Sequence, residues 1–420
     1  MGSDRGNPRH ATGQTAPELH IGLMWHSIFN GNLGVGALSI ANAQLISDAA
    51  VRLGFAPVLH IIGSRGAHDY GLELEHPFDF TNIGLKALLN PFSDFHRTLR
   101  KCDIVFDIGG GDSFSDIYLR KRYRQTILSK VAAVAAGAPL ILSPQTIGPF
   151  FAARARWMAK GVLQLSTHAF ARDETSLELL HELGVGGKSS LSSDVAFALR
   201  YDPETGAKAL GPSQGKLRFG LNVSSALYKL DEIPDNRIRL ALDYRQLVHE
   251  LMKRLCSDPG IELHLVPHVI DATNLDGKRA PHADDDYAVS RELAQQYPQS
   301  VLAPCFYSPC EAKSYIAGMD LFAGSRMHAT IAAISSGTPV IPLGYSRKFN
   351  GLYDSIGYSR NIDMTSLGNA DAMAQFEATF AERDALAEEA IAASAEAKRR
   401  LSHYSRFLEA TLAALDVRRA

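Results

Sequence analysis

The sequence predicts an α/β protein with two Rossmann-like, doubly wound domains that face each other across a cleft, followed by long C-terminal helices. Three observations lead to this prediction. The chain has 420 residues, enough for two domains of ordinary size. Short apolar segments alternate with amphipathic helical ones, which is typical of parallel sheets with helical crossovers. The alternation stops near residue 200 and then restarts, which indicates a boundary between two units.

The first half of the chain is predicted to form the N-terminal domain, at residues 19–200. Residues 1–18 are polar and lack an apolar segment, so a disordered tail is expected there. No strand is assigned from residue 62 to about residue 90, where the pattern is less regular. Strands are expected in five apolar segments, each followed by a helical stretch: 20–26, 56–62, 102–108, 138–144 and 167–172.

The second half is predicted to form the C-terminal domain, at residues 217–361. The segment 201–216 is rich in Gly, Pro and polar residues and is expected to be a linker. Residues 362–420 are rich in Ala and Glu with a helical period, and are expected to form helices that pack across both domains. Five further strands are expected at 217–223, 261–267, 300–304, 320–324 and 339–343.

Composition argues against several classes of function. The chain has 43 basic and 45 acidic residues, and this balance disfavours a nucleic-acid partner. Its four cysteines form no C-x-x-C pair, so reduced thiols are expected rather than a zinc site. No apolar run approaches the ~20 residues that span a bilayer, and the N-terminus lacks the apolar region of a signal peptide. A cytoplasmic enzyme is therefore expected. The acidic run Asp284–Asp286 beside His282 resembles a metal site, but a solvated or helix-capping role is favoured, and no metal is predicted.

The segment 320–352 carries the strongest functional signal. A buried strand is expected to end at Gly324, and Ser325 is expected to cap a helix whose first turn contains Arg326 and His328. Cations are disfavoured at a helix N-terminus, so two of them there indicate a bound anion. The alternative has about equal weight before the next loop is considered: Arg326 pairs with a carboxylate and His328 is a packed core histidine.

A second cationic loop, from Tyr345 to Lys348, follows the next strand at the same edge of the predicted sheet. Because the carboxyl ends of parallel strands meet at one edge, both loops are expected to face the same ligand. Two cationic loops there favour an anionic substrate.

Other strand-end loops carry polar groups suited to a sugar. Gly110 lies in a run of three glycines that would let the backbone approach a ligand, and Asp112 could orient a hydroxyl; a tight turn capped by Asp112 is the alternative. Asn30 and Asn32 lie in a glycine-rich loop without the G-x-G-x-x-G order, so a dinucleotide cofactor is not supported. Gln145 is expected to point into the same cleft.

Arg172 follows the strand predicted at 167–172 and is also expected to face the cleft. Beside Asp173 and Glu174, a local ion pair is about as plausible for it as ligand binding.

Taken together, these segments resemble the polysaccharide pyruvyl transferase family. The resemblance covers roughly residues 20–360 and rests on FNGNLGVGAL, GGGDSFSD, QTIGPF, ARDETS, SDVAFAL and above all SRMHATIAAISSGTPVIPLGYSRK, in this order. Two departures stand out. Val35 occupies a place where many members have an acidic residue, and the stretch from Gly220 to Ser225 lacks the arginine that many members have at the end of that strand.

The resemblance implies a GT-B-like fold and metal-independent transfer of a pyruvyl group from phosphoenolpyruvate, a co-substrate rather than a cofactor. The acceptor would be two hydroxyls of a sugar or lipid-linked oligosaccharide on the N-terminal side of the cleft, and the donor would lie on the C-terminal side. The family's arginine–histidine pair corresponds to Arg326 and His328, and its cleft-facing arginine to Arg172. Contact with a membrane surface through the acceptor stays open, and no feature of the sequence indicates the oligomeric state.

These residues have distinct expected roles. Arg326 is expected to be catalytic together with His328, and also to bind the donor with Arg172, Lys348 and Ser325. His328 is expected to be the general acid or base, because histidine titrates near neutrality. The residues expected on the acceptor side are Asn30, Asn32, Gly110, Asp112 and Gln145.

Two other functions remain as alternatives. A GT-B glycosyltransferase would hold the diphosphate of a nucleotide sugar at the same helix end. It would need a base and ribose pocket, to which His268 and the region of Asp284 could contribute, although no clear signature of such a pocket is present. A non-catalytic sugar-phosphate-binding protein would keep the cleft but would not need His328.

Overall fold

A computed structural model describes residues 16–117, 120–212, 215–232, 238–273, 275 and 284–415; of Arg347 and Lys348 it describes the backbone alone. Most of the predicted tail at 1–18, together with His282, lies outside these residues, but a strand already begins at Glu18. In the part of the chain that is described, no helix has both the length and the apolarity needed to cross a membrane.

The N-terminal domain is built on a parallel sheet of seven strands in the order β3-β2-β1-β4-β5-β6-β7. Ile21 of β1 pairs in register with Leu59 of β2 and with Ile104 of β4. The expected strands of this half are confirmed, and β3 and β7 were not predicted. The strands are β1 (Glu18–Met24), β2 (Ala56–Gly63), β3 (Phe78–Asn82), β4 (Ile104–Asp107), β5 (Leu140–Gln145), β6 (His168–Ala171) and β7 (Ser189–Leu191).

The C-terminal domain is built on a second parallel sheet of six strands in the order β10-β9-β8-β11-β12-β13. Here too the five expected strands are confirmed. The sheet gains one short strand, β13, which lies beyond the predicted domain end at residue 361. The strands are β8 (Leu217–Asn222), β9 (Ile261–Leu265), β10 (Val301–Leu302), β11 (Leu321–Gly324), β12 (Val340–Gly344) and β13 (Ile362–Asp363).

Helices cover both faces of each sheet, and successive strand residues therefore enter different cores. In β4, for example, Ile104 and Phe106 join the core cluster that continues into the C-terminal domain, whereas Val105 joins the cluster on the opposite face. The helices are α1 (Leu33–Arg52), α2 (Leu85–Leu89), α3 (Asp94–Lys101), α4 (Arg120–Ala135), α5 (Ala153–Leu165), α6 (Glu174–Glu182), α7 (Pro203–Leu210), α8 (Ser225–Tyr228), α9 (Tyr244–Cys256), α10 (Asp286–Gln296), α11 (Pro309–Ile316), α12 (Met327–Ser336), α13 (Arg347–Ser355), α14 (Asn369–Ala381) and α15 (Arg383–Ala413).

The segment predicted to be a linker, 201–216, contains helix α7. Asp202 caps this helix by accepting a hydrogen bond from the Glu204 N–H, and Pro203 is its first residue. The apolar run is too short to stand out from its Gly- and Pro-rich surroundings. Helix α7 packs against α11 of the C-terminal domain.

The long helix α15 contacts both domains. Tyr404 donates a hydrogen bond to Asn42 of the N-terminal domain, while Glu389 pairs with Arg360 of the C-terminal domain. The chain therefore returns across the boundary that it crossed near residue 200.

Strand order reverses beside the first strand of each sheet, between β1 and β4 and between β8 and β11. Ligands of doubly wound proteins bind outside the carboxyl ends of the strands at such reversal points. In this protein the two reversal points face each other. Residues 31–33 run antiparallel to residues 268–270, with hydrogen bonds from Leu33 N to His268 O (3.0 Å) and from Ile270 N to Gly31 O (2.9 Å).

Candidate active site

The glycine run after β4 forms one wall of the candidate site. Gly109, Gly110 and Gly111 all have positive φ, at 56°, 59° and 91°, a conformation that strains any other residue. The buried side chain of Asp107 stabilises this run by accepting a hydrogen bond from the Gly109 N–H (2.9 Å). The same carboxylate lies 3.0 Å from Lys130 Nζ. Burial raises the pKa of Asp107 and lowers that of Lys130. This buried pair supports the loop from inside the domain.

Arg172 lies next to this loop, after β6, and is 4% exposed. A β-carbon at Gly111 would lie 3.6 Å from Arg172 Nη1. The guanidinium donates from Nη1 to Asp194 (2.7 Å) and from Nε to Thr146 (2.9 Å), and no described residue accepts a hydrogen bond from Nη2. The ion pair is therefore made with a residue 22 positions away.

The local ion pair considered for Arg172 is absent among the described contacts. Asp173 instead caps helix α6 by accepting from the Ser176 N–H, and Glu174 pairs with Arg400 of α15. Because both neighbouring carboxylates make other contacts, the ion-pair partner of Arg172 is Asp194.

Asp194 is fully buried and connects Arg172 to His328. Burial alone would raise the pKa of Asp194, but Arg172, His328 and the Ala196 N–H together lower it to about 2. His328 Nε2 lies 3.6 Å from the same carboxylate oxygen, too far for a hydrogen bond, and has no described hydrogen-bond partner. His328 is thus placed beside a permanent negative charge with one ring nitrogen uncommitted.

The loop after β1 lies against the other side of His328. A β-carbon at Gly34 would lie only 2.6 Å from His328 Nδ1, so the histidine requires a glycine there. Asn32 caps α1 by accepting from the Gly34 and Val35 N–H groups, and Asn30 accepts from the Asn32 N–H (2.9 Å). The side-chain oxygens of both asparagines therefore stabilise the turn.

Arg326 is the second arginine of the site, and the carboxylate pairing considered from the sequence is present. Its Nη2 contacts Asp284 and Asp286 (2.7 Å to the latter) and Ser225 (3.3 Å), and its Nε donates to Asp286 (3.1 Å). Burial would lower the pKa of Arg326, but these aspartates raise it. No described residue accepts a hydrogen bond from Nη1. One terminal nitrogen remains available, as in Arg172.

The expectation that Ser325 caps helix α12 is wrong. The residue at the cap position is Arg326, whose backbone N–H donates to Asn222 (2.9 Å) and whose side chain does not cap. His328 lies in the first turn as expected. Ser325 is fully buried, and its hydroxyl forms a hydrogen bond with Tyr244 (2.7 Å). It supports the loop rather than facing the cleft.

Gln145 is also placed differently from the expectation. It is fully buried and donates from Nε2 to the backbone oxygens of Asp107 (2.7 Å) and Ser143 (3.2 Å), so it does not line the cleft. A β-carbon at Gly109 would lie 2.2 Å from its Oε1. Gln145 thus fixes the glycine run, which in turn borders Arg172.

The other residues predicted for the site are Gly110, Asp112 and Lys348. Gly110 and Asp112 are half-buried in the glycine loop. Asp112 acts electrostatically on Tyr345, as does Arg326, so the two loops share one neighbourhood; burial raises the pKa of Tyr345. Lys348 lies in the first turn of α13, and its side chain is outside the described residues.

A cavity of about 300 Å³ adjoins the Asn30 loop between the two domains. It is lined by Ser27, Phe29, Asn30, Gly31, residues 64–68 and residues 270–272. Arg65 lies in its wall with the guanidinium 4.6 Å above the ring of Phe29. Of the predicted acceptor residues, Asn30 alone lines this cavity.

One residue of the site, Asp194, was not singled out from the sequence, and three others were noticed without the contacts that they make: His268, Asp286 and Tyr345. Asp194 lies in the SDVAFAL segment, and His268 follows β9 at the same edge of the sheet as Arg326. Strand-end position was the available signal for both. The role of Asp286 was read as capping, but the cap of α10 is Asp285, which frees Asp286 to pair with Arg326.

Comparisons of the sequence with known proteins identify related proteins. A model of the polysaccharide pyruvyl transferase family matches residues 58–347. The amylovoran biosynthesis protein AmsJ of Erwinia amylovora is 21% identical over 282 residues, which cover 66% of this chain and 64% of that protein. The chain thus spans just under two thirds of that relative's length.

Solved structures show a similar fold. The UDP-GlcNAc 2-epimerase from Neisseria meningitidis, bound to UDP-GlcNAc, aligns with a TM-score of 0.56 at 11% identity over 94% of this chain and 100% of that chain. Anabaena Alr3699/HepE in complex with UDP and glucose aligns with a TM-score of 0.54 at 13% identity over 94% and 99%. At these identities the likeness concerns the fold alone, which is the GT-B arrangement expected from the sequence. Because the family model covers well over half of it, the chain belongs to the polysaccharide pyruvyl transferase family.

Proposed function

We propose that this protein transfers the pyruvyl group of phosphoenolpyruvate to two hydroxyls of one sugar, forming a pyruvate ketal on a polysaccharide precursor or glycoside. Family membership supports pyruvyl transfer. One observation carries the proposal: each domain supplies an arginine that is fixed by a carboxylate and still has a terminal nitrogen without a described partner.

The donor's two anionic groups match these two arginines. Phosphoenolpyruvate has a phosphate and a carboxylate, and a guanidinium held in one orientation binds such groups with directed, charge-assisted hydrogen bonds. Arg326 Nη1 and Arg172 Nη2 would each bind one of them, and Lys348 would add charge from the loop after β12. Because the aspartates already orient both guanidinium groups, little side-chain entropy is lost on binding.

The reaction must move two protons. One sugar hydroxyl attacks C2 of the donor, the methylene carbon C3 gains a proton, and the hydroxyl loses one. The C2–O bond to phosphate then breaks with its electron pair on the phosphate oxygen, and the second hydroxyl adds to C2. One hydroxyl proton ends on the new methyl group and the other on phosphate, so the charges balance.

His328 is placed to transfer the proton of the first addition. Its Nε2 has no described hydrogen-bond partner, and the nearby Asp194 carboxylate would stabilise the imidazolium form. Asp194 itself stays ionised because Arg172 offsets the cost of its burial. The histidine could thus accept the proton of the first hydroxyl and deliver it to C3.

The acceptor would enter from the N-terminal side. The cavity beside Asn30 has a volume at the lower end of the range for small-molecule pockets, which suits one sugar unit of a larger acceptor. It is bordered by both domains, so a sugar held there would be close to the junction where His328 meets Gly34. Asn30 would contact this sugar, and Asn32 and Asp112, which do not line the cavity, would contact only other parts of the acceptor.

A nucleotide-sugar glycosyltransferase is the competing function, because solved structures of similar fold hold UDP or UDP-GlcNAc. That enzyme would place a diphosphate at the start of α12. In this chain Arg326 already forms ion pairs there with Asp284 and Asp286. These two carboxylates would repel a bound diphosphate. A small donor bound between the two arginines would use the terminal nitrogens that these contacts leave uncommitted.

Phosphate release separates the two functions. The wild-type protein and a His328→Asn variant are incubated with phosphoenolpyruvate and a panel of methyl glycosides and lipid-linked sugars. We expect acceptor-dependent phosphate release, reduced about 10²–10⁴-fold in the variant, with donor affinity nearly unchanged. Parallel reactions with UDP-sugars serve as the comparison. Turnover of a UDP-sugar without any release from phosphoenolpyruvate would overturn the proposal.

A further inference from the structure

His268 is a buried histidine that the protein leaves unsatisfied. It follows β9, is 2% exposed, and neither of its ring nitrogens has a hydrogen-bond partner among the described residues. A buried polar group without a partner destabilises the folded state, so such groups are rare. Their retention at a cleft is a common sign of ligand binding.

The backbone fixes this side chain at the junction of the domains. The His268 N–H donates to Asp286 (3.3 Å), and its carbonyl oxygen accepts from the Leu33 N–H (3.0 Å) of the N-terminal domain. Asp286 is also the partner of Arg326. His268 therefore lies between the loop that carries Asn32 and the arginine of the C-terminal domain.

Burial is the main reason why the ring is neutral. Burial first, and then His328 when it is protonated and Arg326, lower the pKa of His268 to about 3. The other charged group in contact with this residue is Asp286, through the backbone. An anion bound beside Arg326 and His328 would oppose the effect of both cations and favour protonation of the ring.

The balance of arginines and carboxylates at the site gives a physical reason for His268 to become protonated when the donor binds. Two arginines, Arg172 and Arg326, are in contact with three carboxylates, Asp194, Asp284 and Asp286. Each arginine is therefore already opposed by a carboxylate before a donor that carries both a phosphate and a carboxylate arrives. A proton taken up by a nearby histidine would add positive charge for that donor.

We propose that His268 contacts the phosphate of the donor, takes up a proton from solvent when the donor binds, and gives that proton to the departing phosphate. This proposal rests on the proposed function and adds a second histidine to it. As the C2–O bond breaks, the electron pair stays on the phosphate oxygen and the His268 proton joins it. The proton of the second sugar hydroxyl is released to solvent, so the enzyme returns to its starting state.

Calorimetric titration tests the contact without an acceptor. Phosphoenolpyruvate and inorganic phosphate are titrated at pH 7 into the wild-type protein in two buffers of different ionisation enthalpy, which reports proton uptake. The same titrations use His268→Gln and His268→Leu. The control is His264→Gln: His264 is a buried histidine of β9 whose Nδ1 is satisfied by Tyr315 (2.7 Å).

We expect both His268 variants to bind each ligand about 10- to 100-fold more weakly, the loss typical of a hydrogen bond to a charged group. Proton uptake should fall by about one proton per donor bound, as linkage requires if the ring is the group that titrates. Thermal unfolding should show that His268→Leu is folded and at least as stable as wild type, because an unsatisfied polar group has been removed. The His264→Gln variant should keep wild-type affinity and uptake.

Three other outcomes would contradict the proposed role of His268. If the wild-type protein binds phosphoenolpyruvate and the His268 variants match its affinity and proton uptake, the inference is wrong and the proposed function stands. If the variants bind phosphoenolpyruvate weakly but inorganic phosphate normally, His268 does not contact the phosphate. If the wild-type protein does not bind phosphoenolpyruvate, the proposed function fails and this inference fails with it.

Discussion

The two arginine centres of the cleft occupy equivalent places in their domains but differ in burial and charge. Arg172 is 5% exposed in its side chain and pairs with one fully buried carboxylate, Asp194. Arg326 is 12% exposed and contacts two carboxylates, of which Asp286 is fully buried and Asp284 is 39% exposed. The N-terminal centre is thus a closed, neutral pair, and the C-terminal centre includes a second, partly exposed carboxylate.

This difference indicates separate roles for the carboxylates, one in stability and the other in donor affinity. Removing one member of a closed, buried pair leaves the other as an uncompensated charge, which is costly to the fold. Removing a partly exposed carboxylate from a centre that keeps a second, buried one costs little stability and makes the centre more attractive to anions. Stability should therefore depend on Asp194, and donor affinity on the balance around Arg326.

The largest effect is expected from Asp194→Asn. The change leaves Arg172 buried without a charge partner, so the free energy of unfolding should fall by about 3–5 kcal/mol. The matched control is Asp284→Asn, which should lower it by less than about 1 kcal/mol because the carboxylate is half-exposed. Urea unfolding of both variants measures the comparison. Equal losses of unfolding free energy in the two variants would contradict the proposed difference between the two arginine centres.

A smaller effect should appear in the pH dependence of stability. The pKa of Asp194 is lowered to about 2 in the folded protein, against about 3.9 in an unfolded chain. Its contribution, about 2–3 kcal/mol, is therefore fully present above about pH 5 and is lost as the pH falls through 4 towards 2. The difference in unfolding free energy between wild type and Asp194→Asn should therefore be about 1 kcal/mol smaller at pH 3 than at pH 6. A difference independent of pH would contradict this assignment.

The smallest effect sharpens the comparison from the side of binding. Asp284→Asn removes one negative charge beside Arg326, so the affinity for phosphoenolpyruvate should rise about fivefold, equivalent to about 1 kcal/mol. Because Asp284 is partly exposed, the gain should shrink at high salt. Titrations at two ionic strengths measure it. Weaker donor binding in this variant would show that Asp284 contacts the donor or holds Arg326 in place.

Most of the fold was predictable because it depends on local patterns. Ten apolar segments were assigned as strands, and all ten are strands. The strands that were not assigned, β3, β7 and β13, are short or lie at sheet edges, where partly exposed residues weaken the apolar pattern. Helix α7 was hidden by the Gly- and Pro-rich residues around it.

The site was predictable only in part, because its ion pairs join residues far apart in sequence. Arg326 and His328 stood out by their place after a buried strand, but the partners of Arg326 lie 40 and 42 positions away. The local partners considered for Arg172 were adjacent in sequence, and the observed one is not. Gln145 is a similar case: its position at a strand end was recognised, but its inward direction depends on the glycine run beside it.

The central claim is that one donor is bound between Arg172 and Arg326 through the terminal nitrogen that each leaves uncommitted. Arg172→Lys and Arg326→Lys test it most directly, because lysine keeps the charge opposite the aspartates but lacks that second terminal nitrogen. Arg360→Lys, at a surface ion pair with Glu382 and Glu389, is the control. The measurement is the dissociation constant of phosphoenolpyruvate for each variant. Each site variant should bind about tenfold more weakly or worse, the double variant more weakly still, and the control like wild type. Wild-type affinity in either single site variant would contradict the claim.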